Sequence, residues 1–225
     1  FYYPAKDFLF FHADIQGNEL LRQRVMAVSR LLEKGEAVIV TTLDGCMDPL
    51  LPLEKLRSFV MNIGVGSILE TEAVKLRLVR MGYERVGQVE MPGQFAIRGG
   101  IIDIYPLTEE YPVRVELWDD EVDSIRSFDA ESQRSLENMD ELTLYPAAEL
   151  NPEEHHCEGV SLLDYMKQFR SLVFLDEGIR LLERGETVEK EYLQNFENRM
   201  EKGQIQKNQK KEIFSCTEIL HRLNL

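Results

Sequence analysis

Along Tyr111-Pro112-Val113-Arg114-Val115-Glu116-Leu117-Trp118 the side chains sort with a period of two. Tyr111, Val113, Val115 and Leu117 fall on one face of an extended segment, and Arg114, Glu116 and Trp118 fall on the other. The first set reads as a core face. The second puts the only tryptophan of the chain beside an arginine on a polar face. Trp and Arg are the residue types that dominate binding energy between proteins, so the chemistry indicated is recognition rather than bond-making. The competing reading is that a second layer covers Trp118, since tryptophans are mostly buried.

Other residues suggest catalysis, and each has a plainer explanation. Leu172-Val173-Phe174-Leu175-Asp176-Glu177 has the form of a Walker B element, in which Asp176 would help hold Mg²⁺ near a nucleotide. That chemistry also needs a G-x-x-x-x-G-K-[ST] loop, which the sequence lacks. A buried strand feeding a helix with an acidic first turn explains the same residues. His155-His156-Cys157 lies among Glu153, Glu154 and Glu158, but no C-x-x-C or spaced His pair completes a zinc site, and an acidic surface linker fits better. His12 and His221 stand alone. Cys46 follows Gly45 without a His–acid pair to activate it. No catalytic, cofactor or metal residue is assigned.

Composition narrows the classes. With 225 residues the chain can bury a core and hold more than one small domain. A net charge of −14 argues against a general nucleic-acid surface, without excluding a local basic patch. No apolar run is long enough to span a membrane, and the N-terminus lacks the regions of a signal peptide. It also lacks an initiator Met, so a piece of a longer protein is expected. Cys46, Cys157 and Cys216 are odd in number and far apart, which fits free thiols in a reducing cytoplasm.

The elements that must position these residues fall into three parts. In residues 1–51, Glu19 to Leu32 reads as a helix capped near Asn18 and ended by Gly35. Ala37-Val38-Ile39-Val40 reads as a buried strand continued by Thr41-Thr42, giving a partial parallel-sheet α/β domain with no obvious sheet partner. In residues 52–145, a strand at Ser58 to Val65 precedes an amphipathic helix at Glu70 to Met81. A meander follows at Tyr83–Val89, Gln94–Ile97, Ile101–Tyr105, Val113–Trp118, Val122–Phe128 and Glu141–Leu144, so this part reads as α+β with an antiparallel sheet. Asp119-Asp120 supplies a tight turn. Arg98-Gly99-Gly100 marks a bulge or sharp bend, which leaves the face of Arg98 open. Residues 146–225 read as mostly helical, with helices at Ser161–Phe169, Glu177–Lys202 and Thr217–Leu223, a short strand at Leu172–Leu175 and a polar loop at Gly203–Lys211.

The runs YERVGQVEMPGQFAIRGGIIDIYP, PVRVELWDDEVDSIRSFD and SQRSLENMDELTLYPAAEL resemble the N-terminal, UvrB-like module of the bacterial transcription-repair coupling factor (Mfd) family. The flanks YYPAKDFLFFHADIQGNELLRQR and SLVFLDEGIRLLERGETVEKEY agree, so the resemblance covers essentially the whole chain. It implies a first domain, a second that docks the damage-recognition protein UvrA, and a third that packs on the first. It also implies docking residues: Arg98 in the A-x-R-G motif, Arg114 at the start of the next strand, and Trp118, where some members carry Phe. The family's ATP- and Mg-dependent translocase motor and its RNA polymerase-binding domain would lie outside this sequence, as would part of the module's own N-terminal segment.

The resemblance therefore implies a non-enzymatic adaptor, without cofactors of its own, that recruits UvrA to lesions at stalled RNA polymerase. RNA polymerase and DNA would be engaged only through other domains. UvrB itself is the rival, an excision-repair helicase fragment with residual nucleotide or DNA binding through Asp176 and Glu177. Only Asp7 to Asn18 stands where UvrB inserts its long DNA-gripping hairpin, which favours the coupling factor. A third possibility is that the surface packs against remaining domains of the same polypeptide.

Overall fold

A computed structural model describes residues 1–6, 18–34, 37–150, 156–203 and 213–223. The chain divides into two compact units, one of residues 1–27, 34–53 and 151–225, the other of residues 28–33 and 54–150. The expected Gly35 stop, the Asp7 to Asn18 spacer, His12, His155 and most of the Gly203–Lys211 loop lie outside the described residues, as does the side chain of Asn18. No described helix is long and apolar enough to cross a membrane.

In the first unit, β1 (Tyr2–Tyr3) pairs in parallel with β2 (Val40–Thr41), so the N-terminal aromatics supply the missing sheet partner. Helix α1 (Asn18–Lys34), whose residues 28–33 belong to the second unit, buries Val25, Ala27 and Leu31, as its periodicity requires. The expected buried strand over Ala37–Val40 does not form as such. Of this run only Val40 is in β2, and Val38 and Val40 are both exposed, because the pairing is two residues long and no described layer covers it. A short helix not read from the sequence, α2 (Leu43–Met47), follows, with the Thr42 hydroxyl capping the Gly45 amide.

The C-terminal helices of this unit form largely as read. Helix α5 (Leu162–Met166) starts with a capping box: Ser161 Oγ accepts from the Leu163 amide, and Asp164 accepts from the Ser161 amide. Ser161 Oγ also donates to the Cys46 carbonyl at 2.7 Å, and the Tyr165 hydroxyl donates to the Leu51 carbonyl. Helix α6 (Gly178–Glu201) buries Gly185, Val188 and Tyr192, and α7 (Cys216–Leu223) buries Cys216 and Ile219. The strand expected at Leu172–Leu175 is absent. All four residues are exposed, Phe174 at 88%, because the apolar run has no described sheet neighbour.

The second unit holds the meander. Short helix α3 (Leu53–Arg57), also unanticipated, straddles the boundary between the units and leads to β3 (Met61–Gly64), shorter than the expected Ser58–Val65 strand because Ser58 to Val60 turn back onto the end of α3. Helix α4 (Thr71–Arg80) buries Val74 and Leu78, and Gly82 follows it at φ +85°. Six strands make one sheet in chain order: β4 (Glu84–Arg85), β5 (Gln94–Arg98), β6 (Ile101–Ile104), β7 (Val113–Trp118), β8 (Glu121–Phe128) and β9 (Ser135–Met139). The β4–β5 pair is parallel and the others antiparallel. The final strand, β10 (Glu141–Leu144), pairs instead with β3. The expected Tyr83–Val89 strand shrinks to β4, although Tyr83 and Val89 are both buried.

Register defines the two sheet faces. Phe95, Ile102, Ile104, Val113, Val115, Val122 and Ile125 are buried on one face. Tyr111 precedes β7 and is exposed, so the core alternation begins only at Val113. Arg98-Gly99-Gly100 is a hairpin turn rather than a bulge, with Arg98 opposite Ile101 and Gly99 at φ +59°. A Cβ on Gly100 would stand 2.8 Å from the Leu117 carbonyl oxygen. Asp119-Asp120 makes the expected tight turn, with Asp119 at φ +59°. The bulge falls in β8 instead: Glu116 faces Ser124 while Leu117 faces Val122.

Candidate partner-docking site

The second sheet face carries the polar constellation. Ala96 faces Asp103, Asp103 faces Arg114, and Arg114 faces Arg126. Arg98 lies two residues beyond Ala96 on β5, so strand alternation places it on this face too. That settles the question the glycine pair left open: the turn follows Arg98 and leaves its phase intact.

Asp103 is the centre. Its carboxylate is 1% exposed and accepts three hydrogen bonds: from Arg98 Nη2 at 2.5 Å, and from Arg114 Nε at 2.6 Å and Nη2 at 2.9 Å. The two bonds from Arg114 form a bidentate fork, the strong geometry for guanidinium and carboxylate. Arg114 Nη2 also donates to Gln133 Oε1 at 2.9 Å, and the guanidinium carbon lies 4.4 Å from the centre of the Phe128 ring. Donating to the Asp103 carboxylate pushes Arg114 above the usual arginine pKa, against the opposing effect of burial. Alongside, Arg126 donates to Glu116, which also accepts from Ser124 Oγ at 3.1 Å. Phe128, Val89 and Ala96 form an apolar cluster bordered by Val86 that supports the network at one end.

The expected docking residues therefore share a face but differ in accessibility. The Arg114 side chain is 14% exposed and that of Arg98 is 46% exposed. Trp118 is 81% exposed at the end of β7, four residues and about 13 Å along the strand from Arg114. No described layer of its unit covers it. On this face Arg98 and Arg114 meet Asp103, Arg126 meets Glu116, and the carboxylate of Glu121 stands opposite Trp118, so guanidiniums and carboxylates are balanced. Glu116 was placed on this face by alternation, but Asp103, Gln133, Arg126 and Phe128 were not singled out from the sequence. The available signal was Asp103 itself, a lone acid in Ile101-Ile102-Asp103-Ile104 on the strand before Val-Arg-Val.

The remaining candidates do not assemble into chemistry. Asp176 follows no strand, and Glu177, at φ +50°, pairs with Arg180 at 2.6 Å in solvent. The plainer reading of that segment, a buried strand, is overturned with the strand itself. Among the described residues no His, Cys, Asp and Glu group has the arrangement to hold a metal ion. Cys46 is buried, and desolvation, with Asp48 and Asp44 nearby, pushes its thiol up to about 12, which makes it a poor nucleophile.

Residues 61–150 match the UvrB interaction domain family. Over 154 residues the chain is 44% identical to the transcription-repair-coupling factor of Bacillus subtilis (strain 168), covering 68% of this chain and 13% of that protein. The same-named proteins of Staphylococcus aureus (strain USA300) and Staphylococcus haemolyticus (strain JCSC1435) are 36% and 37% identical over 147 residues, covering 65% of this chain and 12% of theirs. The chain thus spans only about an eighth of the length of these curated relatives.

Proposed function

This chain carries a UvrB interaction domain in a sequence similar to transcription-repair-coupling factors, and from that premise we propose that it is a protein–protein adaptor that docks UvrA through Arg98, Arg114 and Trp118. The observation that carries the reading is the exposed Trp118 on the same face as a half-exposed arginine. An indole held in water by a rigid strand is a ready anchor for an apolar recess on a partner. Arg98 pairs with a partner carboxylate, and Arg114, largely enclosed, braces the face from beneath.

In this reading the adaptor brings UvrA to lesions where RNA polymerase has stalled, in the cytoplasm. The chain performs no catalysis and holds no cofactor. ATP, Mg²⁺, DNA and RNA polymerase are handled by other parts of a longer polypeptide.

Size-exclusion chromatography of the chain mixed with purified UvrA tests this. Co-elution that weakens as salt rises supports the reading, because an arginine-containing interface is screened. Separate elution at micromolar concentrations of both proteins and low salt rejects it.

A further inference from the structure

Asp103 stands where an apolar residue would complete its strand, between Ile102 and Ile104 and opposite Ala96. Enclosing a carboxylate and a guanidinium is costly, and apolar residues of similar volume often stabilise as well as a buried ion pair does. What Asp103 supplies is geometry. Its fork fixes the plane of the Arg114 guanidinium, which Phe128 supports on one side and Gln133 holds at one edge. Arg98 is gripped through Nη2 alone, and among the described residues its other donors make no hydrogen bond.

We propose that Asp103 is a positioning residue for docking. It holds Arg98 and Arg114 in one arrangement before any partner arrives, so that Arg98 presents its remaining donors to an acidic group on the partner. The inference rests on the UvrA-docking reading. Its energetic logic is preorganisation: a long arginine side chain already ordered loses less entropy on binding.

Charge and positioning predict opposite signs. Asp103→Asn removes one negative charge at nearly constant size. If Asp103 only masked the arginines, an acidic recess would bind the variant more tightly and with a steeper salt dependence. If Asp103 positions them, the variant binds more weakly despite its added positive charge.

The experiment is titration of purified UvrA with the parent chain, Asp103→Asn and Arg98→Lys, each checked for native unfolding. The expected result is about a tenfold loss of affinity for Asp103→Asn, on the scale of interface hot spots. In an Arg98→Ala/Arg114→Ala background the same change should have no further effect. Arg98→Lys, an exposed change that keeps the charge but not the planar fork, should lose nearly as much as Arg98→Ala. Binding by a folded Asp103→Asn chain that equals or exceeds the parent's overturns the inference while leaving the docking reading intact. Should Asp103→Asn not fold, parent-like binding by Arg98→Lys overturns it instead. Failure of the parent chain to bind UvrA sinks both.

Discussion

Among the described residues, two places set an arginine against a buried carboxylate with an aromatic ring beneath it. In the first unit Arg24 meets Asp48 at 2.8 Å, donates to the Pro4 carbonyl at 2.5 Å and lies 4.1 Å from the centre of the Tyr3 ring. In the second, Arg114 meets Asp103 at 2.6 Å over Phe128. The first cluster is closed, with side chains 3% and 1% exposed. The second is open on one side, because Asp103 also takes Arg98, and Trp118 stands in solvent on the same strand as Arg114. Similar chemistry thus serves two ends. A sealed pair ties β1, α1 and the segment after α2 together. In the proposed docking reading, the open one presents the half-exposed Arg98 guanidinium and the Trp118 indole to a partner.

The largest effect that would sharpen this contrast is on the closed pair. Arg24→Ala leaves Asp48 enclosed without its ion-pair partner and should cost roughly 3–5 kcal/mol of stability, read as a lower midpoint in urea. A loss below 1 kcal/mol would break the comparison. Trp118→Ala should do the reverse, weakening UvrA association by about 2 kcal/mol or more while leaving the urea midpoint unchanged. Gly100→Ala sets a methyl group against the Leu117 carbonyl and should cost about 1–2 kcal/mol of stability, seen as accelerated amide exchange in β5 and β6.

The smallest effect concerns Asp164. Partial burial works to raise its pKa, but the Ser161 amide, Arg222 and Lys167 outweigh this and hold it below the usual carboxylate value. A depressed folded pKa gives stability that is present above the unfolded value of about 3.9 and lost as pH falls through the folded one. Acid unfolding of the parent should therefore be steeper below about pH 4 than that of Asp164→Asn, by less than about 1 kcal/mol because the site is partly solvated. Identical acid limbs would count against this account.

The sequence was most legible where pattern and neighbours agreed. The alternation of Val113, Val115 and Leu117 against Arg114, Glu116 and Trp118 holds in β7, and the periodic helices α1 and α4 form where expected. It was least legible where burial depends on a second layer. Val38 and Leu172–Leu175 are as apolar as core strands, yet nothing described covers them. The polar edge strand β9 carries no hydrophobic alternation and escaped notice. Within the site, Arg114 and Trp118 could be placed from parity, but the Asp103 fork required knowing that β6 pairs with β7 in the register that sets Asp103 opposite Arg114.

A parallel calorimetric titration of purified UvrA with the parent chain, Arg98→Ala, Arg114→Ala and Trp118→Ala tests the central claim most directly. The account predicts saturable binding by the parent, with the steepest loss for Trp118→Ala at unchanged stability, and clear losses for both arginine variants, of which Arg114→Ala also lowers stability because it leaves the enclosed Asp103 without its fork. Parent-like affinity for all three folded variants would contradict it and move the docking surface elsewhere on the chain.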